Sequence, residues 1–155
     1  MLERILPRQI DNAYRGHRLA LWVLVPVLIL KTGIALGVML NGRAAAQNAD
    51  GVPLETYGPA AAAAFLTVFA AWGLAQLFLC ALGWLALARY RAMIPLVFTM
   101  YLLEHVARRI VFLVKPIARD GAPPGLFINV ALLVFLLAGL VLSLRRTPVK
   151  AVAVP

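Results

Sequence analysis

Cysteine is almost missing from this chain: of 155 residues only Cys80 carries a thiol. A single cysteine excludes an intramolecular disulfide and a CxxC redox pair. Set inside an apolar block, it reads as a small buried hydrophobe. Charge is scarce as well, at 14% Asp, Glu, Lys and Arg, where a soluble domain carries about 25%. Acids are the scarcest, six against fifteen Lys and Arg, for a net charge of +9. Histidine occurs only as His17 and His105. A zinc site needs three or four ligands, and one His, one Glu and a distant Cys do not supply them. Haem held by two histidines would need His17 and His105 at one depth, but His17 precedes the first span at the membrane surface and His105 falls near a midplane, so only a dimer supplying His105 twice would serve. No serine or cysteine nucleophile stands beside a histidine. With no catalytic motif, no cofactor is expected, and an enzyme is disfavoured.

What the chain does have is apolar length. Sixty-three per cent of it is hydrophobic, gathered into four blocks that each approach the roughly 20 residues needed to cross a bilayer. The pattern predicts an all-α integral membrane four-helix bundle with spans at about 19–40, 62–88, 92–115 and 125–144. A basic segment, 1–18, precedes them, and a basic tail, 145–155, is expected to be disordered. The basic residues flank apolar spans, so the expected partner is the lipid bilayer, with its anionic headgroups, and not nucleic acid. A homo-oligomer or a larger membrane complex is compatible with so few spans.

Several local features refine this picture. Leu2, Ile5, Leu6, Ile10 and Tyr14 recur at near-helical spacing among arginines, as in an amphipathic segment on a membrane surface. A frayed basic N-terminus fits equally well, since Pro7 limits any helix there. Ala44, Ala45 and Ala46 resemble a signal-peptide cleavage site. The preceding apolar run is longer than the usual h-region of about 7–15 residues and contains Lys31, so an uncleaved helix is expected. Gly33 and Gly37 form a GxxxG that would allow close helix approach. Trp72, Gly73, Gln76, Cys80 and Gly83 share one side of the second span and form a candidate helix–helix seam, with the amide bonding across it. The short Arg89–Arg91 turn makes the second and third spans expected antiparallel neighbours. Asn41 to Gly58 reads as a connecting loop, and the fourth span as an ordinary packing helix in which Asn129 and Ser143 share a face.

Orientation follows from the positive-inside rule. Arg4, Arg8, Arg15, Arg18, Arg89, Arg91, Arg145, Arg146 and Lys150 lie at one set of span ends, and only Arg43, Lys115 and Arg119 at the other. Both termini are therefore expected in the cytoplasm of a bacterium, with the spans in its inner membrane.

The third span breaks the apolar pattern. Glu104, His105, Arg108 and Arg109 sit near its middle, and with Tyr101 they fall within one arc of about 140° on a helical wheel. Insertion scales charge about 2.5–3.5 kcal/mol for each such ion at mid-span. An arc of this kind is expected to face the interior or a wet cavity. Glu104 and Arg108 stand at i, i+4 and can pair. Lys31 falls just past the middle of the first span and Glu104 just past the middle of the third, which predicts that the two approach each other. The cluster Lys31, Tyr101, Glu104, His105, Arg108 and Arg109 could glue helices or subunits together, bind a lipid headgroup or small anion, or relay protons or ions; alternatively Arg108 and, above all, Arg109 simply snorkel towards the outer interface.

Overall fold

The computed structural model describes residues 5–7, 9–119, 121 and 123–145. Among these residues the secondary structure is helical without strands, built on four long helices: α1 (Leu19–Leu40), α2 (Pro59–Arg89), α3 (Ile94–Val114) and α4 (Pro124–Leu144). Three of them, α1, α2 and α4, are long and apolar enough to cross a membrane. The third has 21 residues, but it carries Glu104, Arg108 and Arg109, so its composition alone does not take it across. The disorder expected of the tail falls, beyond Arg145, outside the described residues.

Prolines at the first helical turn start α2, α3 and α4, where the missing N–H would have had no partner in any case. With 31 residues, α2 is about 46 Å long at 1.5 Å per residue. That exceeds a hydrocarbon thickness of about 30 Å. Its first turns, rich in alanine, are mostly exposed.

The helices share two ends. At the turn end, Arg91–Met93 forms a tight 3-10 turn between α2 and α3. Here the chain entering α1 is pinned: His17 N–H donates to the Leu142 carbonyl at 3.2 Å, and Ala92 N–H to the Asp11 carbonyl at 3.2 Å. Gly16 is required, because a Cβ there would collide with the Ser143 carbonyl and the Tyr14 ring. Residues 9–17 accordingly run without regular helix. The amphipathic segment was expected over residues 1–18; over 9–17 the chain is instead an irregular strap tied across the ends of α4 and the turn, while Leu2, Arg4 and Arg8 lie outside the described residues.

The core at this end is dry and dense. Leu24 and Leu28 of α1, Ile94 and Phe98 of α3, and Leu136 of α4 are all fully buried. Gly139 of α4 lets the Phe98 ring lie directly on its backbone.

At the loop end, α1 stops at Asn41. The chain continues through a short α-turn, Gly42–Ala44, into a wider π-helical turn, Ala45–Ala49. Ala46, Val52 and Leu54 form a small second core, packed with Phe65, Phe69 and Ile117. Glu55 accepts a hydrogen bond from the Gln47 amide within this loop.

Two packing expectations change. Gly33 and Gly37 have no atom within 4 Å of the space a Cβ would fill, and both are exposed. Their GxxxG is therefore not a seam within this chain, because α1 turns its other side to α2 and α4. The close approach is made on α2, where Gly73 meets Ala35, Val38 and Met39 of α1 at 3.0–3.1 Å from a would-be Cβ. Gly83 sits against Leu28 of α1 and the Tyr101 hydroxyl of α3. The hydroxyl of Tyr101 donates to the Leu79 carbonyl at 2.8 Å, and these residues are equally far from Tyr90, so α2 and α3 are antiparallel. Their mutual contact is nevertheless thin, and α3 packs mainly on α4.

Candidate functional site

The polar arc of α3 meets α1 and α4 near mid-helix. Lys31 Nζ lies 3.1 Å from Glu104 Oε2, and Arg108 Nε lies 3.1 Å from Glu104 Oε1. One carboxylate thus receives two cations, each on its own oxygen. Charge-assisted bonds of this kind are stronger than neutral ones. Lys31 is only 6% exposed, although it stands in the middle of an apolar helix. Its ammonium also lies over the Tyr101 ring, 5.1 Å from the centroid, which adds a cation–π contact.

Arg108 reaches further. Its Nη2 donates to Asn129 Oδ1 of α4 at 3.2 Å and lies 3.4 Å from His105 Nδ1. Its guanidinium lies over the Trp72 ring of α2, 5.4 Å from the centroid. The Asn129 amide in turn donates to the Gly125 carbonyl at 2.7 Å, one turn earlier in α4. Arg108 therefore touches three helices, and His105, 1% exposed, is held in the interior beside it.

Above this network lies a cavity of about 260 Å³. Lys31, Arg108, Gln76 and Asn129 give it polar groups, while Ile34, Val38, Trp72 and Leu132 give it apolar walls. The π-helical turn closes its loop end through Ala45, Ala49 and Asp50. Burial pushes the Asp50 carboxyl above its usual range, with Arg119 and Arg108 pulling the other way. Gln76 was expected to bond across a helix seam. It is buried and lines the cavity, and its side chain makes no hydrogen bond among the described residues. An amide in that position is open to a partner from outside the protein.

The remaining candidates divide clearly. Lys31, Tyr101, Glu104, His105 and Arg108 come together, whereas the half-buried Arg109 side chain makes no hydrogen bond or ion pair among the described residues. Gly33 lies off the cavity, and Gly37 is on its rim. Asn129 and Asp50 are members that the residue pattern did not single out. An amide inside an otherwise apolar span was the available signal for Asn129. For Asp50, a loop acid, there was none. No group of three metal-ligating side chains occurs among the described residues.

Compared with protein-family models, with curated proteins and with solved structures, the chain matches none of them.

Proposed function

We propose that this chain is a four-helix bundle of a bacterial inner membrane, both termini in the cytoplasm, that binds a small anion or an anionic lipid group in the cavity above Lys31 and Arg108. Three helices are apolar enough to span. The crossing of α3 is supported by the way its ions are matched: Glu104 neutralises one cation, Asn129 and Trp72 hold the other, and Leu103, Val106, Ile110 and Leu113 are exposed on its outer face. The uneven distribution of Lys and Arg supports the orientation.

The observation that carries the binding reading is the cavity lining. At the floor two cations share one carboxylate, leaving a local excess of positive charge, with Asp50 at the opposite, loop end, and the unpartnered Gln76 side-chain amide lines the same space. An anion there gains charge-assisted bonds in a medium of low dielectric. The test uses purified protein in phosphatidylcholine nanodiscs, titrated with inorganic phosphate or with oleate. Thermal stability should rise with at least one of these anions. The rise should vanish in Arg108→Gln, which keeps the neutral Lys31–Glu104 pair. No rise in the wild type, or an equal rise in the variant, overturns the reading.

A second reading, proton or ion conduction by an oligomer, draws on Asp50 at the loop end of the cavity that Lys31 and Arg108 floor. Proteoliposomes with a trapped pH dye distinguish it: conduction predicts a proton leak lost in Glu104→Gln, and simple binding predicts none.

A further inference from the structure

The cavity is bordered by groups that are themselves exposed on the flank of the helices. Gly37 of α1 and Ile128 of α4 line it, and both are exposed. Nearer the turn end the same two helices contribute Leu24, Leu28 and Leu136 to a closed core. The α1–α4 seam is thus shut in one half and open in the other. A side chain at position 37 would project into open space at the rim, since no atom lies within 4 Å of its Cβ.

We infer that the cavity is loaded sideways from the bilayer, through an opening between α1 and α4 that Gly37 keeps free, and that its ligand is a long-chain carboxylate. The inference rests on the anion-binding reading and adds the route and the class. A volume of about 260 Å³ accommodates a carboxylate and a few methylenes, and the rest of the chain passes between Gly37 and Ile128 into lipid. On the floor of the cavity Lys31 and Arg108 together exceed Glu104 by one positive charge, which places an incoming carboxylate there and away from Asp50 at the loop end. A dianionic phosphate would meet Asp50, another member of the lining. The apolar walls Ile34, Val38 and Leu132 suit the first methylenes.

Gly33 provides the control. It lies one helical turn from Gly37, is equally exposed and equally unobstructed, but does not line the cavity. Both positions have open space around an added Cβ, and only a side chain at position 37 stands at the opening. The probe is dibromostearate in phosphatidylcholine nanodiscs, read by quenching of Trp72 in a background with Trp22→Phe and Trp84→Phe.

Saturable quenching is expected, weakened roughly tenfold in Kd by Gly37→Leu and unchanged by Gly33→Leu. Ile128→Phe, on the opposite rim, repeats the block should Gly37→Leu fail to insert, and adds no second tryptophan. Saturable quenching that Arg108→Gln abolishes but neither rim change weakens overturns the lateral route and leaves the anion site standing. Quenching that does not saturate, or is indifferent to Arg108→Gln, overturns the anion site itself. Displacement of the probe by phosphatidic acid at lower concentration than by oleate overturns the carboxylate assignment.

Discussion

The two halves of the molecule are built from the same four helices and solve opposite problems. At the turn end, Phe98, Leu24, Leu28, Ile94 and Leu136 are fully buried in one apolar cluster. At the loop end, the helices surround a cavity of about 260 Å³ floored by ions. The dry half fixes the helix directions, and the strap across His17 and Leu142 holds it shut. The wet half then receives its polar groups at defined positions. The comparison shows that Glu104, Lys31 and Arg108 need not hold the helices together unaided, because the apolar core beside them already does.

The largest expected effect is in the wet half. Glu104→Gln leaves Lys31 and Arg108 buried without the carboxylate they share, which costs about 3–5 kcal/mol, measured by unfolding in micelles. If the halves differ as described, a disturbance in the dry half follows steric rules instead. Gly139→Ala drives a methyl group into the Phe98 ring and should cost about 1–3 kcal/mol in the same assay. The opposite sign is expected at Gly33, exposed in mid-helix with open space around it. There Gly33→Ala should add about 0.5–1 kcal/mol by reducing backbone entropy in the unfolded chain.

The smallest effect concerns the strap. Burial pushes the Tyr14 phenol up to about 12, and its hydroxyl donates to the His17 carbonyl at 3.2 Å. A folded-state pKa above the unfolded value means that the folded form holds the proton longer. Tyr14's contribution is therefore intact below pH 10 and is lost as pH rises from about 10 towards 12. Stability measured across that window should fall in the wild type and fall less in Tyr14→Phe.

Much of the candidate site could be read from residue spacing. Counting from the span ends puts Lys31 and Glu104 at one depth, and the small residues Gly73 and Gly83 mark the face of α2 that other helices approach. The limits have physical causes. GxxxG states only that a close approach is sterically allowed, so Gly33 and Gly37 gave no information about which helix, if any, would come. The periodicity of Ile10 and Tyr14 suggested a helix, but backbone bonds from His17 and Ala92 to distant parts of the chain outweighed local preference. Asn129 was hidden because a lone amide has no direction until its helix is rotated into place. Asp50 enters the cavity lining only through the π-helical turn, whose extra residue per turn has no signature in an alanine-rich stretch.

The central claim is that Lys31 and Arg108 share the charge of Glu104 across the interior. A double-mutant cycle tests it most directly, comparing the cost of Glu104→Gln in the wild type and in Lys31→Met. With one fewer cation left unmatched, that cost should drop by about 1 kcal/mol or more in the Lys31→Met background. Equal costs in the two backgrounds, to within about 0.5 kcal/mol, would mean that the lysine and the glutamate do not act on each other, and the account of the site would be wrong.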